Sequence, residues 1–267
     1  MELLKWIQRV PLPDEAAMAK ARQRQAELAK PPGSLGRLEE LSIQLAGITG
    51  KVHNSVNKQH LLVFAADNGV VEEGVSSAPQ SVTLSQTINL TRAKTGASTL
   101  CKHFGCEITV CDVGVNANIK EKKVLNRKIA YGTNNIVKGP AMTGEQAIQA
   151  ILAGIELAAN TQADVIGIGE MGIGNTTTSS AVLSVLLDTD VEAVTGRGGG
   201  ITDAGFIKKK QVIKDAIAII SPLLIWTGGS TPLLCLEGVP DLPVAAQDEA
   251  GLTKSFQTWP RGWFHIP

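Results

Sequence analysis

Between residues 60 and 200 the chain repeats one texture: a short apolar run closed by an acid and a glycine, then a stretch of helical sequence. Strands that alternate with helices pair in parallel, because each crossover returns the chain to the same end of the sheet. The first run is Leu61 to Ala66, ending in Asp67-Asn68-Gly69, and the second is Ile108 to Cys111, ending in Asp112-Val113-Gly114. The third is Val165 to Ile168, ending in Gly169-Glu170-Met171-Gly172, and a weaker fourth, Val191 to Val194, enters Thr195-Gly196-Arg197-Gly198-Gly199-Gly200. Thr143 and Gln146 have capping-box spacing ahead of a helical pattern over Ala147 to Ala159. The predicted class is α/β with a doubly wound parallel sheet. Such sheets bind ligands outside the carboxyl ends of their strands, where this sequence repeatedly puts acids and glycines.

Three segments are expected: amino-terminal helices over 1–58, the α/β domain over 59–220, and a tail of different texture over 221–267. Asp14 is placed to cap a helix running to Lys30, Pro31-Pro32 stops it, and Ser34 is placed to cap a second. Leu35, Leu38, Leu41, Leu45 and Ile48 share one face of that second helix, the face expected to pack. The last 47 residues hold six of the twelve prolines and three of the four tryptophans, so the tail does not read as a continuation of the sheet. The abrupt change after residue 218 has the texture of an altered reading frame or a replaced exon.

Charge narrows the function. Twenty-five Lys and Arg balance twenty-five Asp and Glu, so the chain as a whole has no field to hold a nucleic-acid backbone or an anionic membrane, and neither is an expected partner. No stretch reaches the ~18 apolar residues of a spanning helix. MELLKWIQRV lacks the apolar core of a signal peptide, and a cytoplasmic protein is expected. Cys101, Cys106, Cys111 and Cys235 form no C-x-x-C pair and read as buried reduced thiols. The four histidines lack metal-ligand spacing, so no metal is expected, and there is no Ser-His-Asp nucleophile set.

Two glycine-rich loops carry the candidate chemistry. Gly167 to Thr178 contains G-x-G-x-x-G between a strand and a helix, with Asp188 about twenty residues on, and admits three readings. One is a dinucleotide fingerprint of a dehydrogenase. Another is a turn needed only for packing. The third is a site for one compact phosphate, favoured by the hydroxyls from Thr176 to Ser180 at a helix amino end. Glu170, inside the turn, would repel a phosphate but could meet a cationic or protonated ring. The second loop, Thr195 to Asp203, offers the N–H groups of Gly198 to Gly200 as an anion nest. Lys208, Lys209 and Lys210 follow, pointing in different directions on a helix, so at most two can face the ligand. Asp67 reads either as a ligand-orienting carboxylate or as a residue fixing its own turn. Glu73 to Thr83 is polar and suits the lining of an aromatic substrate's pocket.

Four segments taken together, KPPGSLGRLEEL (30–41), FAADNGVVEEGVSSAPQSVT (64–83), GIGEMGIGNTTTSSAV (167–182) and TGRGGGITDAGFIKKK (195–210), resemble one family. It is the nicotinate-nucleotide:dimethylbenzimidazole phosphoribosyltransferases of cobalamin lower-ligand synthesis, and the likeness runs from about residue 5 to 218. The resemblance implies a Rossmann-like α/β domain, a small helical domain formed by both chain ends, and a homodimer. It implies transfer of phosphoribose from nicotinate mononucleotide to a benzimidazole nitrogen, with nicotinate released and no cofactor or metal used. Gly172, Gly174, Asn175 and Thr176, with Gly198, Gly199 and Lys209, would then surround the nucleotide phosphate and ribose. Asp67, Ser76, Pro79 and Gln80 would face the acceptor base, and Glu170 would serve as base or ring-orienting carboxylate. Departures from the pattern are Asn68 where the family usually has His and Ser85-Gln86 where it usually has Gln-Met. The family's glutamate in a Gly-Glu-Gly-Thr-Gly-like segment near the carboxyl end has no counterpart. An inactive nucleotide- or benzimidazole-binding relative is the alternative.

Overall fold

A computed structural model describes residues 5–6 and 11–226, so most of the 221–267 tail, Cys235 included, lies outside the described residues. The chain divides into two compact units. The smaller comprises residues up to His60 with Ala158–Gly167, and the larger comprises Leu61–Leu157 with the chain from Ile168 onward.

In the smaller unit, helices α1 (Glu15–Glu27) and α2 (Arg37–Thr49) pair through small residues. Ala17, Ala21 and Ala46 are buried together, and a side chain added at Gly47 would meet Met18 Sδ at 2.7 Å. This corrects the expectation that the leucine stripe packs: Leu35, Leu38, Leu41 and Ile48 are exposed among the described residues. Close helix approach favours the Ala/Gly face, and the larger side chains are left outside. Asp14 does cap α1, accepting from Ala17 N at 2.9 Å. Ser34 does not cap α2, which follows Gly36 without a side-chain cap. Glu39 instead reaches back from the first turn, accepting from Leu35 N at 3.1 Å and pairing with Lys30 at 2.7 Å. Helix α1 also stops at Glu27, short of Lys30.

Four strands, β1 (Gln59–Ala66), β2 (Glu107–Gly114), β3 (Val124–Asn126) and β4 (Val165–Met171), form a parallel sheet in the order β3-β2-β1-β4. Helices α3 (Ser81–Thr91) and α4 (Gly96–Phe104) join β1 to β2, and α5 (Gly144–Asn160) precedes β4. The Thr143/Gln146 capping box forms reciprocally at 2.9 and 3.2 Å. Two expectations fail. Val191–Val194 is not a strand but a one-turn helix, α7, because Asp190 caps Glu192 N at 2.9 Å and Thr195 Oγ1 donates to Val191 O at 2.6 Å. The actual additional strand, β3, was hidden by its length of three residues and by the lysines before it. Helix α6 (Asn175–Leu186) follows β4, and α8 (Asp203–Trp226) runs six residues beyond the expected boundary at 220.

Because β2 and β3 lie on one side of β1 and β4 on the other, the winding direction reverses between β1 and β4. That switch point is where open α/β sheets leave a crevice for ligands. Two apolar clusters back it: Val63, Leu90, Val110 and Val124, and a second one formed by Val70, Val75, Ala181, Val212, Ile213 and Ala216 among others. Cys101, Cys106 and Cys111 are free thiols, with Cys106 only half-buried, and burial pushes Cys111 up to about 11.

At the end of β2, Asp112 accepts from Gly114 N and Val115 N at 3.1 and 2.9 Å and pairs with Lys128 Nζ at 2.8 Å. Both side chains are largely withdrawn from water, and Lys128 also donates to Val115 O. Removing one partner of a buried pair leaves the other charge uncompensated. Lys128→Ala is expected to lower stability by roughly 3 kcal/mol, the low end for breaking a buried pair, because two backbone N–H groups still serve Asp112. Urea denaturation checks this, and a loss below about 1 kcal/mol contradicts it.

Candidate functional site

Where β4 leaves the sheet, Gly172 passes so close to β1 that an added Cβ would lie 2.1 Å from Ala66 O and 2.8 Å from Asn68 Nδ2. The obstruction is backbone, so no side chain fits. Gly174, the residue before α6, has φ +86°, and a Cβ there would lie 2.7 Å from Val71 Cγ2. Both glycines therefore have a packing reason as well as a ligand reading. Ile173 between them is held at both of its peptide groups: Ile173 N donates to Thr83 Oγ1 at 3.0 Å, and Ile173 O accepts from Asn68 Nδ2 at 3.3 Å. Asn68 Oδ1 in turn accepts from Thr178 Oγ1 at 3.2 Å.

The second glycine loop meets the first at Thr176. Lys209 Nζ donates to Thr176 Oγ1 at 2.7 Å and to Gly196 O at 2.9 Å, joining the start of α6 to the loop before α8. Gly198 closes over the same point, with space for a Cβ only 2.8 Å from Thr176 Oγ1. Lys209 is 1% exposed, and no carboxylate among the described residues pairs with it. Burial lowers its pKa accordingly. Of the three consecutive lysines only this one is fully buried; Lys210 pairs with Glu192 and lies over the Phe206 ring. A buried ammonium with two neutral partners has a third hydrogen to give and a charge to neutralise.

Glu170 is the penultimate residue of β4 rather than part of the turn, which corrects its expected location. Solvent reaches the side chain, yet the protein packed around its carboxyl raises its pKa by desolvation, and the hydrogen bond from Asn175 Nδ2 opposes that rise. Asn175 Oδ1 accepts from Thr176 N at 2.8 Å, so an amide oxygen sits on the first free N–H of α6. Asp67 is buried and fixes the local chain: its Oδ2 accepts from Asn116 N at 2.7 Å, and its backbone bonds to Gly114 and Thr133. Its Oδ1 is buried with no hydrogen-bond partner among the described residues. Ser76 and Gln80 are half-buried and Pro79 exposed, and Ser76 Oγ accepts from Ala78 N at 3.2 Å. Gln80 and Pro79 open α3, while Ser77 Oγ donates to Gly199 O at 3.3 Å.

The structure thus gathers Glu170, Gly172, Gly174, Asn175 and Thr176 around one turn, with Gly198 and Lys209 joined at Thr176. Gly199 is tied through Ser77 to the segment of Ser76, Pro79 and Gln80. The bonds of Asp67 run instead to Asn116, Gly114 and Thr133, so it braces the neighbouring strand ends. Sequence reasoning marked the polar segment Glu73 to Thr83 but missed the individual roles of Thr83 and Ser77 and the bracing role of Asn68. Thr83 has polar neighbours at Ser81, Ser85, Gln86 and Thr87, so nothing local singles out its hydroxyl. Among the described residues no three His, Cys, Asp or Glu side chains gather as a metal site, and no helix is long and apolar enough to cross a membrane.

The profile of a family described as Phosphoribosyltransferase matches residues 10–240, most of the chain. The chain belongs to this family. The profile reaches past residue 218, further than the resemblance read from the sequence, and a dehydrogenase reading of the glycine turn falls away. Similar proteins include a nicotinate-nucleotide–dimethylbenzimidazole phosphoribosyltransferase of Ruminiclostridium cellulolyticum, 51% identical over 77% of this chain and 59% of its own length. Another of the same name, from Clostridium tetani, is 45% identical over 81% of this chain and 60% of its own. A solved structure of the enzyme so named from Thermus thermophilus superposes with a TM-score of 0.72 at 39% identity, covering 77% of this chain and 62% of that one. The chain spans about 60% of the length of the curated relatives it matches.

The packing at Gly172 yields a prediction that separates framework from ligand. Gly172→Ala forces β4 away from the Ala66 carbonyl and is expected to cost about 1–3 kcal/mol or more of stability, the scale of overpacking. Gly174 substitutions are expected to lose stability as well as ligand, given φ +86° and the Val71 contact. Thermal unfolding of both variants at the parent's melting temperature would contradict this.

Proposed function

We propose that the chain binds nicotinate mononucleotide and transfers its phosphoribosyl group to 5,6-dimethylbenzimidazole, giving alpha-ribazole 5'-phosphate and nicotinate in cobalamin synthesis. The observation that carries the reading is Lys209, a buried cation without a carboxylate partner at the meeting point of two glycine loops. A dianionic phosphate supplies the missing counter-charge, and charge-assisted hydrogen bonds of this kind are short and strong. The α6 amino end adds its dipole, provided that Asn175 Oδ1 yields Thr176 N–H to the phosphate. In this reading Gly172, Gly174, Asn175, Thr176, Gly198, Gly199 and Lys209 surround the nucleotide phosphate and ribose, within an α/β domain over 59–220.

The leaving nicotinate carries a positive ring nitrogen bound to C1′ of the ribose. When that C–N bond breaks, the pair goes to the ring nitrogen and the charge is relieved. The acceptor's pyridine-like nitrogen attacks the opposite face of C1′ with its in-plane lone pair, and the proton on its other nitrogen must leave. Positioning two rings on either side of one carbon is the larger requirement. Ser76, Pro79 and Gln80 line the acceptor ring, and Asp67 sets the backbone beneath it through its strand-end bonds. Glu170 takes the proton or orients the ring. We place the reaction in the cytoplasm, in a homodimer, with no cofactor and no metal.

Incubating the purified chain with both substrates and resolving alpha-ribazole 5'-phosphate by chromatography tests the reading. Nucleotide binding without ribotide formation would mark the chain as a binding relative. Lys209→Ala is expected to weaken nucleotide binding by about 1–3 kcal/mol, the value of a lost hydrogen bond to a charged group, read by calorimetry. Glu170→Gln should keep nucleotide binding while turnover falls by ~10²–10⁴. A base works deprotonated, so kcat/KM should rise with pH through a pKa above the ordinary 4.5, and the glutamine variant should lose that limb. Equal loss of binding and turnover in Glu170→Gln would make it a brace for the turn.

A further inference from the structure

The geometry points to Thr83 as a positioning residue that couples the acceptor segment to the phosphate turn, making the two substrates bind cooperatively. This rests on the proposed placement of phosphate on the glycine loops and acceptor at residues 76–80. Thr83 is fully buried on α3, one turn past Pro79 and Gln80, and the first turn is closed by Val82 N to Pro79 O and Thr83 N to Gln80 O, both 3.0 Å. Its hydroxyl accepts the N–H of Ile173, the central residue of the glycine turn, at 3.0 Å. That residue has little slack on its other side. Asn68 holds its carbonyl at 3.3 Å, and Gly172 and Gly174 are pressed against Ala66 O and Val71. A movement of the turn is therefore passed to α3 rather than absorbed by β1.

A second tie acts in parallel. Ser77 Oγ donates to Gly199 O at 3.3 Å, joining the same acceptor segment to the other glycine loop. The segment 76–80 thus hangs between the two loops by one hydroxyl at each end, Ser77 to the second loop and Thr83 to the first. Phosphate that fixes both loops fixes the segment as well. An acceptor ring arriving afterwards has less chain left to order, which raises its affinity, and by linkage the acceptor raises phosphate affinity by the same factor. The hydroxyl of Thr83, not its methyl, carries this coupling.

The test uses ribose 5-phosphate, which fills the phosphate site without a leaving group, and dimethylbenzimidazole, titrated into the full chain by calorimetry. In the unaltered chain saturating ribose 5-phosphate is expected to lower the Kd of dimethylbenzimidazole at least about fivefold, the lower end of ordinary site-to-site coupling. Thr83→Val, which keeps shape and loses the hydroxyl, should cut that ratio to the smaller share carried by Ser77, and Thr83→Ser should restore it. Ser77→Ala, an exposed change that does not endanger folding, should reduce the ratio in part. Independent binding of the two ligands to the unaltered chain overturns the inference while leaving the site reading intact. Full coupling in Thr83→Val, or lost coupling in Thr83→Ser, overturns it too, and the serine variant decides should the valine variant not fold. Failure of ribose 5-phosphate to bind the unaltered chain at all overturns the site reading and this inference with it.

Discussion

The ligand end of this sheet depends on a contact that only a glycine permits. β4 leaves beside β1 with the α-carbon of Gly172 against the Ala66 carbonyl, so closely that a single methyl group would overlap the backbone. That approach sets the direction in which the chain enters α6, and with it the positions of Ile173, Asn175 and Thr176. Because the winding reverses between the same two strands, the tightest backbone contact and the ligand crevice coincide. The packing role of this turn and the binding role proposed for it are therefore not rival accounts of its glycines. The first creates the geometry that the proposed second would use.

Lys209 has the opposite character. Its burial is unfavourable by itself, since desolvation disfavours the ammonium and two neutral oxygens compensate only in part. A packed apolar side chain would suit the fold better, so the charge makes sense chiefly when an anion arrives. Lys210 and Lys214, one and five residues further along α8, do what surface lysines ordinarily do and share Glu192. Three identical side chains in a row thus divide by helical direction alone, since successive residues project about 100° apart around the axis.

The α/β class, strands β1, β2 and β4, the Thr143/Gln146 capping box and both glycine loops were legible because each rests on local patterning or a local cap. Most of the errors fall where partners distant in sequence decide, and Val191–Val194 is a local exception. The leucine stripe of α2 has proper helical spacing, but Ala46 and Gly47 allow a closer approach to α1 than leucines would, and spacing alone does not weigh that. Val191–Val194 looked like a strand until its flanking Asp190 and Thr195 are counted as helix-closing groups. β3 has three residues and is recognisable only through its parallel pairing with Val110 to Asp112. At the proposed site, Gly172, Asn175, Thr176 and Lys209 stand out in the glycine motifs, whereas Thr83 and Ser77, though inside the polar segment 73–83, do not stand out as individual residues. Their partners lie 90 and 122 residues away, and no local pattern announces such a bond.

Frame and loops are also held by different kinds of force. The frame consists of backbone against backbone at Gly172 and of alkyl groups in close contact around Val70 and Ile213, where a small displacement meets steep repulsion. Besides the Lys209 ammonium that ties Thr176 to Gly196, the loops are held by neutral hydrogen bonds at Thr83, Ser77 and Asn68, each worth about 1 kcal/mol net against a thermal energy of about 0.6 kcal/mol. Such bonds break and reform readily while the strands stay fixed. Two loops and one segment held in this way, on a sheet fixed by close packing, suit the two-ring reaction proposed above.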